Sequence, residues 1–155
     1  MTQRFILDEN IVIFAQKREN AESESDSTCL DLLTQIITIC HAIVVDFNLW
    51  DKYQHQLGVR SRTGAQAGSL VLALLDIARH TAGKIDFTHN AAPFPEEGDI
   101  PQGSQDDVPI VRLAVETGAT LVTADRDLGP DLNSCGVQEK YNLRVLSPEE
   151  VLPKL

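Results

Sequence analysis

Several aspartates stand where apolar runs give way to polar segments, and their side chains could act together in one site. Three follow short apolar runs directly or after one residue: Asp8 after Arg4–Leu7, Asp46 after Ala42–Val45, and Asp125 after Thr120–Thr123. Carboxylates gathered at one point repel one another unless a cation neutralises them. Oxygen ligands without nearby Cys or His select a hard ion. The aspartates therefore predict a site for Mg²⁺ or Mn²⁺, which can lower the pKa of a bound water for attack on a phosphodiester.

The elements that position these aspartates follow from the apolar pattern. We predict strands at Arg4–Leu7, Ala42–Val45, Lys84–Phe87, Thr120–Thr123 and Leu143–Leu146, and helices at Leu30–Cys40, Phe47–Leu57, Ser69–Ala82, Val108–Thr117 and Pro148–Leu152. Because strands alternate with helices, we expect one α/β domain over residues 1–155, with three α/β/α layers and a central, mostly parallel sheet. Ligand sites in such sheets lie beyond the carboxyl ends of the strands, where the aspartates fall.

Two further segments are typical of loops. Residues Arg18–Thr28 are acidic and rich in Ser, and residues His89–Asp106 contain several Pro and Gly. A loop as long as the second one is uncommon in a compact domain unless it is functional or mobile.

Composition and charge limit the class of protein. The 155 residues carry a formal net charge of −10, which argues against a broad nucleic-acid footprint because affinity for phosphates comes mainly from Lys and Arg. Arg60 and Arg62 form a small cluster with His55, and solvated surface charge is their simplest interpretation. No apolar run reaches the roughly 18 residues of a membrane span, and three scattered cysteines fit a reducing cytoplasm.

Each aspartate also has a purely structural interpretation. Asp46 and Asp107 stand where helix N-caps occur, and we expect Asp46 in particular to cap the following helix. The neighbouring Asp106 could cap in place of Asp107, and Asp8 and Asp125 could be ordinary turn residues. Their joint placement at strand ends favours a functional cluster over these separate roles.

Three stretches of the sequence resemble the PIN-domain family. RFILDENIVIFA resembles the opening strand of that domain with its Asp-x-Asn. DVPIVRLAVETGATLVTADRDL resembles its second half, where an Asp opens a helix and a buried strand runs into Thr-x-Asp-x-Asp-Leu. HAIVVDFNLWDKYQHQL is similar to the intervening strand and helix, which usually carry an acidic residue before a Tyr or Leu. The resemblance implies a PIN fold and a metal-dependent endoribonuclease that hydrolyses RNA.

Position by position, the resemblance implies that Asp8, Asp107 and Asp125 are the carboxylates that bind Mg²⁺ or Mn²⁺. Asn10 would order the first loop, and Thr123 and Asp127 would hold substrate, water or a second ion. Many PIN domains are toxins of toxin–antitoxin pairs (VapC-like). The expected partners are therefore RNA, a small antitoxin protein and a second copy of the chain in a homodimer, without a membrane.

The chain departs from the family at the second acidic position. The residue before Tyr53 is Lys52, and Asp51 stands one place earlier, a rotation of about 100° around a helix. We expect this helix to bury a face that consists of Leu49, Trp50, Tyr53 and Leu57. Asp51 would then lie at the edge of that face and supply a fourth carboxylate, whereas Lys52 would point towards solvent. The expected catalytic set is Asp8, Asp51, Asp107 and Asp125.

Other classes of protein fit less well. A haloacid-dehalogenase-type phosphatase needs an Asp where Asn10 stands, and a response-regulator receiver needs a Lys on its last strand, which Leu143–Leu146 lacks. The alternative that stays open is a degenerate PIN domain that acts as a binding or scaffold module with little or no catalysis. Lys52 beside Asp51 and the net charge of −10 both favour that alternative.

Overall fold

A computed structural model describes residues 2–58, 69–89 and 93–155. Arg60 and Arg62, two members of the expected basic cluster, lie outside these ranges. Within them, no helix has the length and apolar character that crossing a membrane requires.

Five strands and eight α-helices alternate along the described residues. In chain order they are β1 (Arg4–Leu7), α1 (Glu9–Lys17), α2 (Thr28–Thr38), β2 (Ala42–Val45), α3 (Phe47–Gln56), α4 (Leu70–His80), β3 (Ile85–Phe87), α5 (Val108–Thr117), β4 (Thr120–Val122), α6 (Leu128–Ser134), α7 (Val137–Lys140), β5 (Val145–Leu146) and α8 (Pro148–Val151). Short 3₁₀ helices span Glu97–Asp99, Gln102–Asp107 and Leu152–Lys154.

The strands form one sheet in the order β3-β2-β1-β4-β5, and every neighbouring pair is parallel. This confirms the predicted α/β class with three α/β/α layers and a parallel sheet. The central strands are buried on both faces, as in β2, where all four side chains are buried. Since β1 lies between β2 and β4, the carboxyl ends of these three strands meet at one edge.

Residues at the helix termini determine where helices α3 and α5 begin and end. The Asp46 carboxylate accepts a hydrogen bond from the Leu49 N–H at 2.7 Å, so Asp46 caps α3 as predicted. Gly118 ends α5 with a φ of 65°, a left-handed conformation that glycine adopts without a Cβ clash.

Three regions differ from the sequence expectations. Helix α1 spans Glu9–Lys17, a longer helix than the sequence indicated before the acidic loop. Helices α6 and α7 occupy a segment for which no helix was predicted. The segment predicted as a loop before Asp107 contains two short 3₁₀ helices and is anchored by the Ser104 hydroxyl, which donates to the Asp131 carboxylate at 3.0 Å. Gly and Pro in the segment before Asp107 suggested a loop, but short helices form there in the folded protein.

Candidate functional site

The ends of β1 and β4 are joined through the Asp8 carboxylate. Asp8 is 7% exposed, and its backbone N–H continues the ladder by donating to the Val122 carbonyl at 2.9 Å. The Thr123 hydroxyl, 3% exposed, donates to Asp8 Oδ2 at 2.8 Å. The Asn10 amide donates to the same oxygen at 3.1 Å. Asp8 is therefore held in one orientation by two donors from different elements.

The same network positions the loop that follows β4. The Asn10 side-chain oxygen accepts from the Ala124 N–H at 3.1 Å, and the Thr123 hydroxyl oxygen accepts from the Asp125 N–H at 3.0 Å. The Asp127 N–H donates to Asp125 Oδ1 at 2.9 Å. Asn10 and Thr123 thus order the loop between β4 and α6, while the side chains of Asp125 and Asp127 are exposed.

A small cleft of about 30 Å³ opens beside Asp8, and we call it the carboxylate cleft. Its lining residues are Asp8, Asp46, Asn48, Leu49, Lys52, Asp106, Asp107, Pro109, Ile110 and Leu113. Asp107 stands at the junction of a 3₁₀ helix and α5, and its side chain makes no capping hydrogen bond. The cleft therefore gathers four carboxylates from three places in the chain, together with one lysine.

Burial raises the pKa values of two of the cleft carboxylates, Asp8 and Asp107. Burial raises the pKa of Asp8 above its ordinary value of 3.8, although the Thr123 hydrogen bond and the Lys52 charge act in the opposite direction. Burial also raises the pKa of Asp107 to about 6, and the charges of Asp8 and Asp125 add to that rise. Asp8, Asp107 and Asp125 are thus close enough to interact electrostatically.

Helix α3 packs on β1 through the face that carries Leu49, Tyr53 and Leu57, all of which are buried. The buried Tyr53 hydroxyl donates to the Leu7 carbonyl, which fixes the rotation of the helix against β1. With that rotation, Asn48 and Lys52, four residues apart and so on one stripe, face the cleft. Asp51 is exposed on α3 and is not among the residues that line the cleft, whereas Lys52 lines it although half of its side chain is exposed.

The carboxylate oxygens of Asp8, Asp107 and Asp125 are of the type that hard cations prefer, but their positions do not form a coordination site. No group of three or more His, Cys, Asp or Glu side chains within the described ranges could hold a metal ion as the side chains stand. The charges of Asp8 and Asp125 nevertheless contribute to the raised pKa of Asp107, so the three predicted ligands are near enough to one another to interact. Rotation of the exposed Asp125 and half-buried Asp107 side chains would be needed to bind Mg²⁺ or Mn²⁺ there.

A much larger opening of about 720 Å³ lies on the other side of the β4 end, and we call it the large groove. It includes Thr123 and Asp125 in its wall. Other residues that line it include Phe14, Glu19, Glu22, Arg126, Leu146 and Glu149. The Arg126 side chain forms an ion pair with Glu22 across this groove, so its charge is already partnered.

Sequence reasoning missed two contributors to the site. Lys52 was expected in solvent, and Tyr53 was expected only as a core residue. The four-residue spacing from Asn48 to Lys52 could have indicated that Lys52 shares a helix face with Asn48, whereas no sequence pattern indicates the Tyr53 hydrogen bond.

No model of a known protein family and no curated protein matches the chain.

Proposed function

We propose that this protein is a Mg²⁺- or Mn²⁺-dependent endoribonuclease of the PIN type that hydrolyses RNA phosphodiesters at the carboxylate cleft. The observation that carries the proposal is the fixed Asp8 carboxylate, held by Thr123 and Asn10 and electrically coupled to Asp107. A network that orients one carboxylate beside others that repel it favours a cation-binding site over a purely structural one.

In this proposal some residues orient the site and others bind the cation. Thr123 and Asn10 keep Asp8 pointing into the cleft, and Tyr53 keeps α3 against β1. Asp8, Asp107 and Asp125 would hold the cation. When bound, that ion would supply an activated water and neutralise charge on the phosphate.

RNA is the proposed substrate because the motifs resemble PIN ribonucleases. A small antitoxin protein, a homodimeric arrangement and a cytoplasmic location belong to the same proposal. An antitoxin would present a cation to the carboxylates, for which the bidentate guanidinium of Arg is well suited.

One observation favours a second candidate function. Lys52 places a positive charge in the cleft, and no three-ligand group is assembled among the described residues. A degenerate PIN domain that binds a partner without catalysis would have both properties.

Ion linkage and one substitution separate the two candidates. Millimolar Mn²⁺ should raise Tm relative to EDTA, because binding at 100 times Kd stabilises the folded state by about 2.7 kcal/mol. Asp8→Asn should remove both that rise and the Mn²⁺-dependent cleavage of a fluorescent single-stranded RNA while the circular dichroism spectrum is retained. The matched control is Asp76→Asn, which changes an exposed carboxylate on α4.

The outcomes of this test are distinct. No difference in Tm between EDTA and Mn²⁺, with no heat of binding in calorimetry, would overturn the nuclease proposal and favour the binding module. Equal cleavage by wild type and Asp8→Asn would place the reaction elsewhere in the molecule.

A further inference from the structure

Exposed aromatic rings lie together at the start of α3 and the end of β3. Phe47, the first residue of α3, is 68% exposed, and Phe87, the last residue of β3, is 41% exposed. Their ring centroids are 6.0 Å apart, and the rings of Phe47 and the exposed His89 are also 6.0 Å apart. We call Phe47, Phe87 and His89 the aromatic platform. Single exposed apolar side chains are common on protein surfaces, but a contiguous set marks a binding surface.

The platform is supported by rings that pack towards the core. The Trp50 ring packs edge to face with Phe87, at 5.4 Å between centroids, and with the buried Tyr53, at 6.2 Å. Tyr53 is itself fixed by its hydrogen bond to the Leu7 carbonyl. Because these supporting rings are packed, little side-chain freedom is lost when a ligand binds to the platform.

The platform adjoins the carboxylate cleft. Asp46 and Asn48, the neighbours of Phe47 in the chain, both line the cleft. Strands β2 and β3 are parallel, and Val45 pairs with Phe87, so both strands end at the edge of the sheet where the cleft lies. A nucleic-acid strand with a phosphate at the cleft would therefore have a neighbouring base within reach of Phe47.

The size and chemistry of the platform favour a nucleobase over a protein partner. An aromatic side chain presents about 150–250 Å² of surface, so the exposed parts of Phe47 and Phe87 together amount to roughly 200 Å². A stable protein interface buries about 800 Å² on each partner. A single base needs only one or two ring faces, and every base has a π-face that can stack on them.

We propose that the aromatic platform stacks an unpaired base of single-stranded RNA and so holds the adjoining phosphodiester at the carboxylate cleft. The inference rests on the proposed function, since it assigns the substrate a contact beside the same cleft. Phe47 supplies the most exposed ring, and Phe87 and His89 flank it. These residues position the substrate and do not touch the reacting atoms.

The test follows the fluorescence of Trp50, which is the only tryptophan in the chain and contacts the platform. The protein is titrated with octaadenylate in EDTA, which prevents metal-dependent cleavage, and with an abasic oligomer that has the same number of phosphates. Octaadenylate should change the Trp50 emission and the abasic oligomer should not, because only the first has bases to stack. Binding of octaadenylate should depend weakly on salt, since stacking releases few counter-ions.

Substitution of Phe47 tests the platform directly. Phe47→Ala should bind octaadenylate about 10-fold more weakly, as loss of one base–aromatic stack does, whereas Phe47→Tyr keeps a ring and should bind like wild type. In Mn²⁺, Phe47→Ala should raise KM for cleavage of single-stranded RNA by about 10-fold and leave kcat within about twofold, because the stack is the same in the ground and transition states. Ile77→Ala is the matched control, since Ile77 is an apolar residue on α4 that is 57% exposed.

The outcomes separate this inference from the proposed function. Unchanged affinity and KM in Phe47→Ala, beside Mn²⁺-dependent cleavage by wild type, would overturn the stacking role and leave the nuclease proposal intact. Binding of octaadenylate that Phe47→Ala weakens, without Mn²⁺-dependent cleavage, would support stacking and overturn the nuclease. No response to octaadenylate, or an equal response to the abasic oligomer, would overturn the stacking role. Sedimentation that shows a dimer of wild type and a monomer of Phe47→Ala would assign the platform to a second copy of the chain and overturn stacking as well.

Discussion

The carboxylate cleft and the large groove lie on opposite sides of the β4 end, and they use acidic residues in opposite ways. In the cleft, Asp8 is buried, oriented by Thr123, and raised in pKa by its surroundings. In the groove, Glu22 and Glu149 are exposed and face a space of about 720 Å³. Water screens the groove charges, whereas the buried Asp8 carboxylate in the cleft is screened much less.

This difference bears on the side from which the proposed nuclease would bind an RNA backbone. The cleft combines oriented oxygens with a local cation, Lys52. The groove is larger, but it is lined by several carboxylates, and Arg126 is already paired with Glu22. If a cation binds at Asp8 and Asp107 as proposed, it would add positive charge on the cleft side, and an RNA backbone should then approach Asp125 from that side.

The largest expected effect tests whether Asp125 belongs to the cleft chemistry. Asp125→Asn should lower kcat/KM for Mn²⁺-dependent RNA cleavage by about 100-fold or more, as loss of an ion ligand does. Asp127→Asn should reduce it by less than about 10-fold, because Asp127 supports Asp125 through a backbone N–H that the substitution keeps. Initial rates on a labelled single-stranded RNA measure both. Equal losses in the two variants would contradict the division of roles.

The next effect tests how firmly the cleft wall is fixed. Tyr53→Phe removes the buried hydroxyl that donates to the Leu7 carbonyl, and it should lower the free energy of unfolding by about 1–2 kcal/mol. Urea unfolding measures the loss, and Tyr141→Phe, at a half-buried tyrosine outside the cleft, is the control. A loss no larger than that of the control would show that Tyr53 does not anchor α3.

A pH-dependent effect tests the repulsion within the cleft. The pKa of Asp107 is raised from 3.8 to about 6, so the folded state binds this proton more tightly than the unfolded state does. Stability from this group is complete below about pH 4 and is lost as the pH rises through 6. In EDTA, Asp107→Asn should therefore be more stable than wild type at pH 7.5, by on the order of 1 kcal/mol because Asp107 is only half-buried.

Denaturant unfolding at pH 4 and pH 7.5 measures whether the stability difference between Asp107→Asn and wild type depends on pH in this direction. The advantage of Asp107→Asn should shrink towards pH 4, where both proteins carry a neutral side chain. Glu116→Gln, an exposed substitution on α5, should show no such trend. An advantage that is independent of pH would mean that charge repulsion is not its cause.

The smallest expected effect tests the groove. Arg126→Met breaks an exposed ion pair with Glu22, and such pairs contribute about 0–1 kcal/mol, so unfolding should change little. Cleavage should also stay within about twofold of wild type if RNA approaches from the cleft side. A strong rise in KM, with a weaker dependence on salt, would show that the groove carries the RNA.

The sequence by itself determined the strands of the sheet and the polar residues that follow their carboxyl ends. Buried parallel strands appear as unbroken apolar runs, so β1, β2 and β4 could be located together with Asp8, Asp46 and the loop to Asp125. The capping role of Asp46 was also visible, because the first turn of a helix needs an acceptor for its unpaired N–H groups.

Only the tertiary structure decided which side chain of α3 enters the cleft. Neighbouring helical positions differ by about 100°, so an apolar face locates the edge of a helix only approximately. The sequence placed Asp51 at that edge and Lys52 beyond it, towards solvent. The contact of Tyr53 with the Leu7 carbonyl, across the domain, set the rotation that admits Lys52. Such long-range contacts have no local pattern in the sequence, because they depend on how whole elements pack against one another.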